Sequence, residues 1–190
     1  MNTTIIANTS QTLAAILPCY GANGDSTILL TATGTCTHSP VGIRTVLRRL
    51  ARERAVDLTA LKQQTEQATG QRILHILPLA DDLVLVPVKV RTPQVSRDNC
   101  TGYVNACSVA SVRSTSTQPH KALIILKSGA EIPTLWTPAT IEKYLRAARL
   151  LAGKQSYGTQ ANAQPEIVAI SRKLVEVFQD ILALKTQNYT

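Results

Sequence analysis

Residues 122–151 read ALIILKSGAEIPTLWTPATIEKYLRAARLL and contain two short apolar strands followed directly by a helical pattern. Ser128-Gly129 separates the strands, and glycine tolerates the positive φ that a tight hairpin turn requires. Thr137-Pro138 then supplies a capping hydroxyl and a proline suited to the first helical position. The stretch therefore predicts an antiparallel hairpin joined to a helix, which is typical of the α+β class.

The helix of this stretch is predicted to have one apolar and one basic side. Its apolar positions recur at three- and four-residue steps and are expected to face the core: Ile141, Tyr144, Leu145, Ala148 and Leu151. Its basic positions are expected to face outward: Lys143, Arg146 and Arg149. Gly153 predicts the end of the helix, because glycine is the commonest residue just past a helix C-terminus.

Upstream of this stretch, the chain predicts strands, then two helices, then strands again. Short apolar runs at 5–6, 13–17 and 28–30 alternate with Pro18 and a glycine turn, as in antiparallel strands. Ser39-Pro40 repeats the signal for a helix start. Strand signals return from residue 73 in ILHILPL, LVLVPVKV and YVNACSVASV. We predict an α+β fold of mostly antiparallel strands, in a sheet or partly open barrel, with two to three packed helices and a C-terminal helix.

The helix after Ser39-Pro40 is predicted to separate apolar from basic residues. Its expected core positions are Ile43, Val46, Leu47 and Leu50. The basic residues Arg44, Arg48 and Arg52 fall on another face at steps of four. This stripe could follow a nucleic-acid backbone, contact RNA polymerase, or stay solvated.

A second helix is predicted to begin at Asp57, an effective N-cap, and to end near Gly70. Two helices joined by a short turn also admit a helix-turn-helix interpretation. The second helix offers only Lys62 and a few glutamines as base readers, so this interpretation is the weaker one.

The C-terminal region predicts a separate helix. Residues 153–165 are rich in small and polar residues and are predicted to form a linker after a domain of residues 1–152. Residues 166–186 then carry apolar positions spaced three and four apart, the pattern of a helical seam: Ile167, Ile170, Leu174, Val177, Ile181 and Leu184. The seam could join two copies of the chain or pack against its own domain.

Cationic side chains are concentrated between residues 41 and 154, which carry 17 basic and 8 acidic residues, a net charge of +9. Residues 1–40 contain no Lys or Arg, and residues 155–190 are balanced. Because clustered cations bind phosphates and release condensed counterions, double-stranded DNA is the first partner to consider. A basic surface that is merely solvated is the alternative. We expect these cations to converge on one surface of the folded protein, where they would meet duplex phosphates.

Two loops hold the side chains best suited to DNA. The first candidates lie between two strand signals: Lys89, Arg91, Gln94, Arg97 and Asn99. The second candidates lie in RSTSTQPHK, residues 113–121: Arg113, His120 and Lys121. Arg and Lys hold phosphates, whereas Gln and Asn can donate to and accept from base edges. A solvated connection is the alternative for either loop.

The motifs of common enzyme classes are missing from the sequence, which has no GxxxxGK, HExxH or GxSxG. The three histidines are scattered, and His75 lies in an apolar run where a core residue is expected. The four cysteines form no CxxC pair, which favours buried free thiols over a zinc site or a disulfide framework. We therefore expect a protein that is not an enzyme and holds neither metal nor cofactor.

Neither a membrane segment nor a secretory signal is predicted. No apolar run approaches the roughly 18 residues of a membrane span. The N-terminal sequence MNTTIIANTS lacks the basic start of a signal peptide. We expect a cytoplasmic protein.

Three stretches together resemble the ComK family of competence transcription factors, in the same order and at compatible spacing. They are TLAAILPCYGANGDSTILL followed by SPVGIRTVLRRL, LVLVPVKVRTPQ leading into CTGYVN, and LKSGAEIPTLWTPATIEKYLRAARLL. The resemblance covers about residues 10–152. It implies a bacterial regulator of DNA-uptake genes that binds AT-rich promoter boxes as a multimer and contacts the minor groove.

The segment TGYVNACSVASV followed by LKSGAEIP is also similar to the later strands of LytTR-type DNA-binding domains. Both resemblances imply binding to DNA. A non-enzymatic adaptor whose basic face binds RNA or an acidic protein remains the alternative, although few aromatic residues are available to stack on single-stranded bases.

Overall fold

The computed structural model describes residues 13–21, 24–70, 72–94 and 98–160, and for residues 153–160 only the backbone. The predicted α+β class is confirmed by two antiparallel sheets and three helices in this part of the chain. The early strand at 5–6, residue Arg97 and the helical seam of residues 166–186 lie outside the described residues.

Six strands form the larger sheet. They are β1 Leu13–Gly21, β2 Gly24–Thr31, β3 Cys36–Ser39, β4 Leu77–Ala80, β5 Leu83–Lys89 and β6 Thr101–Asn105. Their order across the sheet is β3-β2-β1-β6-β5-β4, with each neighbouring pair antiparallel. The sheet is open, since its edge strands β3 and β4 lie at opposite ends of this order.

The remaining elements are a smaller sheet, a short turn of 3-10 helix and three α-helices. The smaller sheet holds β7 Val109–Ser114, β8 Ala122–Leu126 and β9 Glu131–Thr134, in that order. The 3-10 turn spans Ala106–Ser108, and the helices are α1 Ile43–Glu53, α2 Leu58–Thr69 and α3 Pro138–Gln160.

The larger sheet is buried on both faces, and β5 shows this most clearly. Because successive side chains of a strand point to opposite faces, Leu83 and Leu85 pack with α1 and α2. Val84, Val86 and Val88 instead pack with the smaller sheet and α3. The described residues of the unit up to residue 152 therefore form three layers, with α1 and α2 on one side of the larger sheet and the smaller sheet with α3 on the other.

The hairpin and helix of residues 122–151 form as predicted. Strands β8 and β9 are antiparallel, and Gly129 has the expected positive φ of 84°. Helix α3 begins at Pro138, and the Thr137 hydroxyl accepts a hydrogen bond from the backbone N–H of Thr140. Its predicted apolar side is buried or half-buried and its basic side is exposed.

The prediction that helix α3 ends at Gly153 was wrong, because the helix continues to Gln160. Residues 153–160 are therefore helical and not linker. Glycine lowers helix stability by only about 1 kcal/mol in a helix interior, so a single glycine does not oblige a helix to end. The compact unit that holds the two sheets spans residues 1–152, and a second unit begins at Gly153.

Two other predicted boundaries were wrong. Helix α1 begins at Ile43 with Gly42 as its N-cap, because Ser39 remains in β3 and pairs with Thr27. Strand β1 runs through Pro18 to Gly21, because the ladder between β1 and β6 covers only Ala15 and Ile16. A proline is tolerated where no neighbouring strand needs its missing N–H.

The strand signals between residues 73 and 114 are divided differently from the prediction. Leu74 has a positive φ of 62°, so β4 begins only at Leu77, and Ile73 is 77% exposed. His75 is half-buried outside any strand, and its Nδ1 atom has no hydrogen-bond partner among the described residues. The 3-10 turn divides YVNACSVASV between the two sheets, as β6 and β7.

The N-terminus of α2 is capped as predicted. The Asp57 carboxylate accepts hydrogen bonds from the backbone N–H groups of Thr59 at 2.7 Å and Ala60 at 3.4 Å. Gly70 ends the helix in the left-handed conformation, with a φ of 69°. Asp57→Ala should lower the free energy of unfolding by about 1 kcal/mol in urea titrations, because two amides lose their acceptor. Asp57→Asn is the matched control and should retain nearly all of the stability, since asparagine caps about equally well.

Candidate nucleic-acid interface

Arg91 is held inside the protein by three partners. Its Nη2 atom donates to Asp25 Oδ1, and its Nε donates to the carbonyl of Asn99 at 2.9 Å. Its guanidinium carbon lies 4.0 Å from the centroid of the Tyr20 ring. Asn99 Nδ2 also donates to Asp25, to Oδ2 at 2.9 Å. These four residues, Tyr20, Asp25, Arg91 and Asn99, are called the Asp25 cluster below.

The Asp25 cluster revises the prediction that Arg91 and Asn99 contact DNA through their side chains. Arg91 has only 13% of its side chain exposed, and its charge is neutralised by Asp25. An ion pair of this kind must be broken before the guanidinium can bind a base or phosphate, and breaking a buried pair is strongly unfavourable. Arg91 Nη1 is buried without a hydrogen-bond partner in the described part of the chain. The side chains of Arg91 and Asn99 are therefore engaged within the protein.

Asp98 makes further contacts with Tyr20 and Gln94 in the described part of this loop. The Tyr20 hydroxyl donates to the Asp98 carboxylate, and the hydrogen bond raises the pKa of Tyr20. The Gln94 backbone N–H donates to the Tyr20 oxygen at 3.2 Å and to Asp98 Oδ2 at 3.0 Å. The Gln94 side chain is exposed and stays a candidate for DNA contact.

A basic cleft lies between α1, α2 and the larger sheet. Arg44 and Arg48 of α1 and Lys62 of α2 reach its walls, and the cleft has a volume of about 270 Å³. Among the described residues that line it, none is acidic. Its polar lining is completed by Asn99, Thr101 and Tyr103.

The floor of this basic cleft is partly apolar. Burial raises the pKa of Tyr103, and the nearby positive charge of Arg44 acts in the opposite direction. Arg52 lies one helical turn beyond Arg48, and both line a second hollow at the junction between α1 and α2. The stripe of arginines predicted on α1 is therefore exposed along its length, with Lys62 added from α2.

The backbones of two predicted lysines, distant in sequence, are both hydrogen-bonded to Thr134 at the end of β9. Thr134 Oγ1 donates to the carbonyl of Lys89 at 2.8 Å, and the Lys121 N–H donates to the Thr134 carbonyl at 2.9 Å. Both lysine side chains are exposed. Arg113 is exposed on β7 opposite Leu123, and His120 is half-buried.

A second group of cations lies on the other side of the larger sheet. Arg146 and Arg149 of α3 line a hollow of about 230 Å³ together with β7, and Glu142 lines the same hollow. Helix α3 and α1 cover opposite faces of the larger sheet. The expectation that the cations converge on one surface is therefore wrong, because the layered packing divides them between two.

The cysteines and the acidic residues form no metal site in the described part of the chain. All four thiols are free, but the prediction that they are buried was wrong. Cys36 and Cys107 are exposed, and Cys19 and Cys100 are half-buried. Among the described helices, none is both long and apolar enough to cross a membrane.

Comparisons of the chain with the models of known protein families, with curated proteins and with solved structures give no match. The resemblance to ComK and LytTR-type domains therefore stays a prediction from the sequence.

Proposed function

We propose that this chain binds double-stranded DNA through the exposed face of α1 and the basic cleft. The observation that carries the proposal is the cleft itself, where cations from two helices meet and none of the described lining residues is acidic. Phosphates are attracted to such a surface because each contact releases condensed counterions. A lone basic stripe on one helix would be a weaker indication, since many such stripes are only solvated.

The spacing of the three arginines suits a phosphate backbone. Arg44, Arg48 and Arg52 lie four residues apart, so they cover about 12 Å of the helix axis at about 1.5 Å per residue. Successive phosphates of one strand rise by about 3.4 Å each. Several phosphates are therefore within reach of α1, while Lys62 in the cleft and the exposed side chain of Gln94 in its loop are available for base edges.

The protein is proposed to act as a cytoplasmic bacterial transcription regulator of the ComK type and not as an enzyme. The resemblance to that family and the clustered cations support this proposal. It includes binding of AT-rich promoter boxes as a multimer, with the seam of residues 166–186 joining the copies, and activation of DNA-uptake genes. Where α1 is not occupied by DNA, its arginines could contact RNA polymerase.

The test compares two triple variants with equal changes in charge. Arg44→Ala/Arg48→Ala/Arg52→Ala should weaken binding to an AT-rich duplex by about 100-fold near 0.1 M salt and lower the salt slope by about 2.7, for three lost phosphate contacts. Lys143→Ala/Arg146→Ala/Arg149→Ala removes three cations from α3 and should change affinity only severalfold. Fluorescence anisotropy with matched and scrambled duplexes at several salt concentrations measures both quantities.

Equal losses in the two variants would show that only net charge matters and would refute α1 as the binding face. Tighter binding to single-stranded RNA than to either duplex would favour the adaptor instead. Gln94→Ala distinguishes base recognition from phosphate binding. Loss of a base contact lowers affinity for the matched duplex but not for the scrambled one.

A further inference from the structure

Cys19, Ser26 and His38 meet on three adjacent strands. Cys19 Sγ lies 3.3 Å from His38 Nε2 and 3.2 Å from Ser26 Oγ. Ser26 Oγ lies 3.3 Å from the same His38 nitrogen. The three side chains thus form a closed triangle of polar contacts, which neither the proposed DNA site nor the Asp25 cluster uses.

The pairing of β1, β2 and β3 brings these side chains together. Cys19 lies directly opposite Ser26 in the register of β1 and β2, and His38 lies opposite Ile28 in the register of β2 and β3. Because strand side chains alternate, Tyr20 and Asp25 project from the other face of the sheet. The triangle is therefore separated from the Asp25 cluster by the sheet itself.

Gly21 leaves the space that the triangle needs. A Cβ atom at Gly21 would lie 2.8 Å from Ser26 Oγ and 3.6 Å from His38 Cε1. A side chain at this position would displace the serine hydroxyl from its place between the thiol and the imidazole. Ser26 is itself buried, whereas His38 is exposed at the edge strand and can exchange protons with water.

The other thiols have different surroundings. Cys100 Sγ and Cys107 Sγ face backbone carbonyls, of Asp98 and Asp81 respectively. Cys36 and Cys107 are more exposed than Cys19. If solvent access alone decided reactivity, Cys36 and Cys107 would react before Cys19. Their reaction rates therefore serve as internal controls for that of Cys19.

We propose that Cys19 and His38 form a thiol–imidazole pair that makes Cys19 the reactive cysteine of this protein and its site of oxidation by hydroperoxides. The thiolate is the nucleophilic form of cysteine, and an adjacent base that takes the thiol proton increases its amount. The geometry fits this role, because His38 Nε2 lies within contact distance of the sulfur, accepts the thiol proton in the Nδ1–H tautomer, and belongs to an exposed side chain.

The oxidation step is balanced within the pair and its substrate. His38 Nε2 takes the Cys19 proton, and the thiolate sulfur attacks the outer oxygen of the hydroperoxide. The S–O bond forms as the O–O bond breaks, and the leaving oxygen takes the proton from the imidazolium. Cys19 becomes a sulfenic acid, oxidised by two electrons, while the hydroperoxide is reduced to an alcohol or to water.

The test measures alkylation of each thiol in the reduced, full-length protein. Iodoacetamide is the probe, used in limiting amount near neutral pH, and peptide mass spectrometry follows each cysteine separately. A free thiol is only a few per cent thiolate at about pH 7, so Cys19 should react about tenfold faster than Cys36 and Cys107. His38→Gln should remove this advantage and leave the other two rates unchanged, whereas His120→Gln, the control, should leave all rates unchanged.

Hydrogen peroxide followed by dimedone should then label Cys19 first, and label it less in His38→Gln. Reaction of Cys36 or Cys107 ahead of Cys19, or an unchanged Cys19 rate in His38→Gln, would overturn the proposal. Because His38 is exposed on an edge strand, the variant should fold, and an unchanged circular dichroism spectrum verifies this. The outcome does not depend on whether the protein binds DNA.

Discussion

Asn105→Ala is expected to lower the free energy of unfolding by about 4 kcal/mol, because four backbone groups, two of them in fully buried hydrogen bonds, lose their partner together. Asn105 Oδ1 accepts from the N–H groups of Val84 at 3.3 Å and Cys107 at 3.1 Å. Its Nδ2 atom donates to the carbonyls of Leu13 at 3.0 Å and Asp82 at 2.9 Å. The side chain thus uses its full hydrogen-bonding capacity at a buried position.

Urea unfolding of the Asn105→Ala variant, with the m-value compared with that of the native chain, measures this loss. Ser111→Ala, an exposed substitution on β7, is the control and should shift stability by no more than about 0.5 kcal/mol. Asn105→Asp keeps the shape but removes both donors, and it should also be strongly destabilising. A loss below about 1 kcal/mol in Asn105→Ala would mean that water replaces the amide without cost.

Asp25→Ala is expected to be nearly as damaging, with a loss of about 3 kcal/mol, the lower end for breaking a buried ion pair. The substitution leaves Arg91 as an unpaired charge with only 13% of its side chain exposed, and it removes the acceptor of Asn99 Nδ2. Asp25 is 29% exposed, so water relieves part of the cost.

Asp82→Ala is the matched control for Asp25→Ala. The Asp82 carboxylate is 65% exposed and lies 3.7 Å from Arg54 Nη1, so its loss should cost less than about 1 kcal/mol. Equal midpoints for the two variants in urea would contradict the role given to the Asp25 cluster. The comparison also bears on the proposed function, since a large loss in Asp25→Ala would support an internal role for Arg91 over a contact with DNA.

Local patterns determined much of the fold. The continuous apolar run of β5 and the three- and four-residue steps of α1 and α3 depend only on neighbours in the chain, so they could be read directly from the sequence. The same holds for the Asp57 cap and the turn at Gly129, because each is formed by residues a few positions apart. The exposed stripe of Arg44, Arg48 and Arg52 was predictable for this reason.

Boundaries were less predictable, because they depend on what lies beside a segment. Pro18 is tolerated because it pairs only with Thr27 of β2 and the ladder between β1 and β6 does not reach it. Ser39 stays in a strand because β2 pairs with it. The sequence around Tyr103 could be read as one strand, whereas its halves belong to different sheets. Local propensity contains no information about such partners.

By itself, the sequence determined the α+β class, the main helices and strands, and the concentration of positive charge in the middle of the chain. Only the tertiary structure decided which charges meet, because side-chain partners are set by strand pairing and layer packing between distant residues. Asp25 pairs with Arg91, 66 positions away, and so removes it from the DNA-binding candidates. Strand pairing likewise brings Cys19 to His38, and the larger sheet places the cations of α1 and α3 on opposite sides.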